Sequence, residues 1–251
     1  MTGPLKATTS AGQVRRPATD TVCAVAPTVV LVHGWGGSFE STWQANGFTE
    51  LLREAGRTVV GVDLLGHGAA PKPHDPEAYD DLTTRVVEAW PEGEVDAIGF
   101  SLGAITLLRL AMVEPQRFNR LVLAGIGESL FATDDSRTLR IVAALEGHGD
   151  PDDNLARMFV QYAGQPGNDI VALTAVMKRG RSPIVPEMLA TVTCPTLVVL
   201  GDRDFAGPGQ PLVDALPNAT LRTLRNVDHF ATPESFGFID ATLEFLDAVP
   251  P

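Results

Sequence analysis

Val95-Asp96-Ala97-Ile98-Gly99-Phe100-Ser101-Leu102-Gly103-Ala104-Ile105 decides the fold of this chain. An apolar run of strand length ends at Phe100, an apolar stretch of helical length starts at Leu102 and stops before Pro115, and Ser101 alone joins them. A strand that becomes a helix across one residue leaves no room for a side chain at Gly99 or Gly103. It also forces the residue between them into a strained backbone region costing about 1–3 kcal/mol. That strain exposes the Ser101 hydroxyl, as the G-x-S-x-G pattern of a nucleophile elbow requires.

Outward from the elbow, further β-branched apolar runs lie at 28–32, 58–63, 120–124 and 196–200, with helical spacings between them. Because the runs are continuously apolar rather than alternating, they suit strands of a mostly parallel sheet covered on both faces by helices, which makes the fold class α/β. Phe48, Leu51, Leu52 and Ala55 predict the buried face of one flanking helix, and Phe236, Ile239, Leu243 and Leu246 that of the C-terminal one.

Between Gly125 and Thr196 the strand–helix rhythm breaks. Three helical patterns follow one another there without a strand: Leu139, Val142, Ala143; then Leu155, Met158, Phe159, Tyr162; then Ile170, Leu173, Met177. They predict an inserted helical cap over 129–192, which divides an α/β core into 27–128 and 193–251. Residues 1–26 read as a leader with a possible edge strand.

Composition narrows the partners. The 251 residues are 44% hydrophobic and 20% charged, enough to bury an extensive core. A net charge of −12 repels nucleic-acid phosphates and anionic membrane surfaces, so neither is an expected partner. Cys23 and Cys194 lack metal or redox spacing, and a reducing compartment fits them. No signal-peptide pattern and no apolar run of about 20 residues occurs, and the expected location is cytoplasmic. The oligomeric state stays open.

A serine hydroxyl is a weak nucleophile and needs a base, itself oriented by a carboxylate. Asp204, just past the 196–200 run, and His229, in Asn226-Val227-Asp228-His229-Phe230, supply these in the order serine, acid, histidine. Loops at the C-terminal edge of a parallel sheet share one crevice, so the three groups can converge. Asp202 and Glu128 are rival acids, whereas Asp228, adjacent to His229, reads as a solvated charge. Acyl transfer also needs donors for an oxyanion; His33-Gly34-Trp35-Gly36-Gly37 follows a buried run, and the backbone amides of Trp35 and Leu102 are the expected pair.

As a phosphate loop the glycine string fails, because Phe39 stands where G-x-G-x-x-G needs glycine, and no G-K-[ST] string occurs. His33 and His67 read as turn-orienting residues. His74 and His148 read as solvated, without metal-ligand spacing. No metal and no cofactor is expected. Trp35, Phe131, Phe159, Tyr162, Met177 and Phe230 are the candidate pocket residues, although the cap side chains among them serve equally well as the cap's own packing.

Together these residues resemble the α/β-hydrolase superfamily, in its serine-hydrolase, carboxylesterase-like branch. The resemblance is carried by His33-Gly34, Val62-Asp63-Leu64-Leu65-Gly66-His67-Gly68, Gly99 to Gly103, Cys194-Pro195-Thr196-Leu197 leading to Gly201 and Asp204, and Asp228-His229-Phe230. It implies a mostly parallel eight-stranded sheet, a helical lid and serine-based hydrolysis of a small-molecule ester or related acyl substrate. Esterase, thioesterase, lactonase, perhydrolase and carbon–carbon bond hydrolase chemistry all remain open under it, as do a non-hydrolytic ligand receptor and a cofactor-free oxygenase. Ala104 departs from the glycine that many such relatives carry.

Overall fold

The computed structural model describes residues 26–180 and 182–250, together with Met1 and Gly3. The chain runs β1 (Val29–Val32), α1 (Phe48–Glu54), β2 (Val59–Val62), α2 (Thr83–Ala89), β3 (Val95–Phe100), α3 (Leu102–Val113) and β4 (Phe118–Ala124). Three helices then follow, α4 (Ser136–Leu145), α5 (Asn154–Ala163) and α6 (Ile170–Lys178), before β5 (Thr196–Gly201), α7 (Gln210–Ala215), β6 (Ala219–Leu224) and α8 (Phe236–Phe245).

All pairings in the sheet are parallel, in the order β2, β1, β3, β4, β5, β6. The direction of winding reverses between β1 and β3, so a crevice opens at their C-terminal ends. Six strands are present among the described residues, where the resemblance implies eight. The edge strand considered for residues 1–26 falls almost wholly outside them, as does Cys23.

Strand alternation sends successive side chains to opposite faces and so builds two cores. Val30, Val32, Ala97, Leu121, Leu123 and Val198 face one core with α2, α3 and the three helices that precede β5. Val29, Leu31, Ile98, Val122, Leu197 and Val199 face the other, with α1 and α8. Both faces of the sheet are thereby covered, which is why its strands are continuously apolar.

Beside Asp96, the first core position of β3 after Val95, a buried ion pair joins distant parts of the chain. Arg57 pairs with Asp96, both side chains almost fully enclosed, and also donates to the carbonyls of Pro27 and Leu246. Asn119 donates to the second Asp96 oxygen at 2.6 Å. With its charge so fully hydrogen-bonded, the pair escapes most of the penalty of burial and ties β1, β3, β4 and the C-terminal segment together.

Four helical positions differ from the spacing-based expectation: Phe236 and Leu139, and with them Met158 of α5 and Ile170, the first residue of α6, which are also exposed. Phe236 is 83% exposed, because it is the first residue of α8, set just after the Ser235 cap and outside the buried stripe of Phe238, Ile239, Thr242 and Leu243. Leu139 is 66% exposed, since the covered stripe of α4 is Thr138, Ile141, Val142 and Leu145. That stripe begins on a threonine, which carries no apolar signal. No helix among the described residues is long and apolar enough to cross a membrane.

Candidate active site

The elbow is as tight as the glycine spacing demands. Ser101 has φ 51° and ψ −110°, a positive φ that a residue bearing a Cβ rarely adopts. A Cβ at Gly99 would stand 2.6 Å from the backbone of Ala104, and one at Gly103 would stand 2.3 Å from the Val32 carbonyl oxygen. The backbone of α3 therefore packs directly on β3 and on the end of β1, and any larger residue at either position would separate them.

Two loops deliver the other polar groups. The Asp202 amide donates to the Leu224 carbonyl at 2.9 Å, and the Arg203 amide to the Val227 carbonyl at 3.1 Å. The Asp202 carboxylate accepts from the Asn226 amide at 2.7 Å, so this rival acid braces the two loops against each other. Asp204 and His229 are brought together as a result: His229 Nδ1 lies 2.9 Å from each Asp204 carboxylate oxygen, and Nε2 lies 2.9 Å from Ser101 Oγ.

Both members of that pair are buried, and Asp204 Oδ1 accepts a further hydrogen bond from the Ala206 amide at 2.8 Å. Carboxylate oxygens only accept, so the proton sits on Nδ1 and leaves Nε2 free to accept from the serine hydroxyl. Glu128 is exposed on a short 3₁₀ segment at the end of the β4 loop. The Asp228 carboxylate is exposed and accepts from the Ala231 amide at 3.0 Å.

Space for the imidazole comes from Gly125 at the end of β4. It has φ +68°, and a Cβ there would approach His229 Cε1 to 3.2 Å. Phe205 stacks on the ring at 4.2 Å between centroids, with Phe100 at 5.0 Å and Phe230 edge-on at 5.6 Å. The sequence reading missed Phe205 and Gly125; the only available signal was an aromatic residue adjacent to the candidate acid and a glycine at a strand end.

On the other side of Ser101 stands the glycine turn. Gly34 lies against the serine, where a Cβ would be 3.3 Å from Ser101 Cβ, and Trp35 is the next residue of that turn. Leu102 opens α3, and its amide is among those a helix N-terminus leaves without an intrahelical acceptor. His33 orients the turn: Nδ1 donates to the Gly34 carbonyl at 2.7 Å, and Nε2 accepts from the Leu64 amide at 3.1 Å. Burial holds the pKa of His33 below the usual imidazole value. His67, 5.1 Å from it between ring centroids, donates through Nδ1 to the Leu65 carbonyl and is pushed down to about 3, chiefly by burial and then by the neighbouring His33.

The candidate pocket residues divide. Trp35, Phe159, Tyr162 and Phe230 form one ring cluster, with Trp35–Phe159 at 5.2 Å, Phe159–Phe230 at 5.6 Å and Tyr162–Phe230 at 5.4 Å. Phe205 joins it to His229, and the Arg137 guanidinium lies 5.4 Å from the centre of the Phe205 ring. Phe131 and Met177 are half-buried and pack against the larger core. His148 and His74 are both exposed, and His74 in addition lies within 2.9 Å of Asp169 because the α6 N-terminus passes over its loop. Among the described residues no group of three or more His, Cys, Asp or Glu side chains is placed to hold a metal ion.

The family described as alpha/beta hydrolase fold matches residues 27–143. A pimeloyl-[acyl-carrier protein] methyl ester esterase of Methylococcus capsulatus is 30% identical over 219 residues, 78% of this chain and 83% of its own. A 2-hydroxy-6-oxononadienedioate/2-hydroxy-6-oxononatrienedioate hydrolase of Cupriavidus pinatubonensis is 27% identical over 239 residues, 83% of this chain and 82% of its own. The solved enol-lactonase of Burkholderia xenovorans superposes with a TM-score of 0.70 at 18% identity, covering 88% of this chain and 92% of the other, a likeness of fold. The chain belongs to the α/β hydrolase family, among relatives named as esterases and hydrolases.

Proposed function

We propose that this chain is a serine hydrolase that cleaves a small or medium apolar carboxylic ester through an acyl-enzyme on Ser101. The observation that carries this reading is the unbroken hydrogen-bond series from Ser101 Oγ through His229 to both oxygens of Asp204, each step 2.9 Å. Ser101 Oγ bonds to the ester carbonyl carbon as its proton passes to His229 Nε2. The carbonyl oxygen becomes an oxyanion that accepts from the Trp35 and Leu102 amides.

Collapse of that intermediate breaks the bond to the alcohol oxygen, which takes the proton from His229 and leaves. A water then gives a proton to His229 and attacks the acyl carbon, restoring Ser101 and releasing the acid. Asp204 keeps Nδ1 protonated and stabilises the imidazolium in both halves. The aromatic stack on the imidazole excludes water from the pair, which strengthens its electrostatics.

In this reading α4, α5 and α6 act as a cap over the site, and the Trp35, Phe159, Tyr162 and Phe230 rings form the apolar wall that receives the acyl chain, with Phe131 and Met177 further along it. Ester rather than other acyl chemistry is favoured by the methyl ester esterase among the relatives. The test is a series of p-nitrophenyl esters of increasing acyl length against wild type, Phe159→Ala and Met177→Ala. Wild type is expected to prefer short to medium chains. Phe159→Ala should move the optimum to longer acyl groups by opening space beside Trp35, with Met177→Ala shifting it less. An optimum that stays fixed in both folded variants would show these side chains to be packing alone.

A further inference from the structure

The Trp35 amide is not an isolated donor but the end of a hydrogen-bond chain that begins in the helices before β5. Asn168, one residue before the Asp169 cap of α6, donates through Nδ2 to the Gly36 carbonyl at 2.9 Å. The other carbonyl in its reach is that of Tyr162, at 3.2 Å, so only the NH₂ end of this amide fits the position. The peptide that carries the Gly36 carbonyl also carries the Gly37 N–H, which donates to the Gly34 carbonyl at 3.2 Å. The peptide that carries the Gly34 carbonyl in turn carries the Trp35 N–H.

Two peptide planes are thus linked in series: the first accepts from Asn168 and donates to the carbonyl of the second, which also accepts from His33 Nδ1 at 2.7 Å and whose nitrogen is that of Trp35. Such series polarise cooperatively, so an acceptor filled at one end makes the N–H at the other a stronger donor. Orientation is fixed along with strength, because a peptide plane gripped at its carbonyl cannot rotate its N–H away.

The same helices hold the turn at two more points. Trp35 Nε1 donates to the Leu173 carbonyl in α6 at 3.0 Å. The Tyr162 ring of α5 covers Gly36, where a Cβ would stand 2.7 Å from Tyr162 Cδ1, and Gly36 has φ +74°. Only glycine satisfies both the backbone angle and the contact. Asp169, next to Asn168, lies 2.9 Å from the exposed His74 and accepts from the Ala172 amide at 3.0 Å as the cap of α6, which places Asn168 at the start of that helix.

We propose that Asn168 is a positioning residue of the oxyanion site, acting through the Gly36–Gly37 and Gly34–Trp35 peptides on the Trp35 N–H, so that seating of α5 and α6 and completion of the oxyanion site are one event. The inference rests on the serine-hydrolase reading above. A substrate that displaced these helices outward would loosen its own oxyanion donor, and one that let them settle would tighten it.

The experiment compares wild type, Asn168→Ala and Asn168→Asp as full chains. Active serine is counted by titration with a fluorophosphonate, p-nitrophenyl butyrate is the substrate, and a butyl trifluoromethyl ketone is the inhibitor. That ketone takes the Ser101 oxygen at its carbonyl carbon while His229 takes the proton, leaving the charged oxygen in the oxyanion site. Removing an oxyanion donor outright costs about 10²–10³ in kcat; weakening one is expected to cost about tenfold per titrated serine in Asn168→Ala. Asn168→Asp, equal in shape but without the donor, should lose at least as much.

KM is expected to move by less than about twofold, and ketone affinity to fall by the same factor as kcat. A merely structural Asn168 would lower the fraction of titratable serine or raise KM, with kcat per titrated serine and ketone affinity unchanged; that result overturns the proposal. Wild-type protein that neither hydrolyses the ester nor takes up the fluorophosphonate overturns the serine-hydrolase reading itself, and this inference with it.

Discussion

Replacing Ser101 by alanine is expected to lower ester turnover by roughly 10⁵–10⁶, with the protein still folded, because the covalent route is lost and only the oxyanion donors and binding remain. Folding should survive because alanine removes only the hydroxyl, whose hydrogen bond is to His229. His229→Ala is expected to cost as much, and the double variant little more than either single one, because the two groups act as a unit. Steady-state kinetics on p-nitrophenyl esters with purified variants reads all three. Turnover in Ser101→Ala within tenfold of wild type would exclude an acyl-enzyme at this residue.

The second large effect concerns the acid. Asp204→Asn is expected to lower kcat by about 10⁴, because an amide facing Nδ1 can donate to it and so move the imidazole proton to Nε2, where it blocks acceptance from Ser101. Asp202→Asn removes charge from an exposed carboxylate whose recorded hydrogen bond is to the Asn226 amide, a bond the asparagine oxygen still accepts. Glu128→Gln alters an exposed side chain. Both should stay within about fivefold of wild type, in keeping with the small effects usual at such surface positions. The ranking is the measurement: kcat for the three variants under one set of conditions, with Asp204→Asn lowest by orders of magnitude. If Asp204→Asn proves the mildest, the acid is elsewhere.

What the sequence made legible, and what it did not, follows from the range of the constraint. The elbow is a local object: the clash at Gly99 and Gly103 and the left-handed Ser101 are set by neighbours within five residues and by the strand end they pack on, so eleven letters reveal it. The strand runs are legible for the same reason, since burial on both faces leaves a continuous apolar stretch. Chain order and strand ends point to Asp204 and His229, while which of Asp204, Asp202 and Glu128 meets the imidazole depends on the loop-to-loop hydrogen bonds that hold Asp202 on Asn226.

Other features depend on contacts between distant segments. The ring cluster joins Trp35 after β1, Phe159 and Tyr162 from α5, and Phe205 and Phe230 from two later loops, and no spacing rule connects those positions. Gly125 gives His229 room because of where that ring comes to rest, and Asn168 reaches the Gly36 carbonyl because of where α6 meets the glycine turn. The exposed Leu139 and Phe236 show the converse limit. A 3.6-residue period finds that a helix is amphipathic, but a stripe that includes threonine, or a first-turn residue beyond the packing surface, shifts the face that the tertiary contacts bury.

The central claim is that Ser101 is an activated nucleophile, and covalent labelling tests it most directly. A fluorophosphonate reacts with a serine whose hydroxyl is deprotonated by an adjacent base and whose attack is stabilised by oxyanion donors, and the phosphorus stays on that oxygen. Intact mass followed by peptide mapping is expected to show one adduct per chain, on the peptide containing Gly99-Phe100-Ser101-Leu102-Gly103. The adduct should be absent in Ser101→Ala and formed far more slowly in His229→Ala. Folded wild-type protein that takes up no label, or takes it up at another residue while Ser101 stays unmodified, would contradict the account.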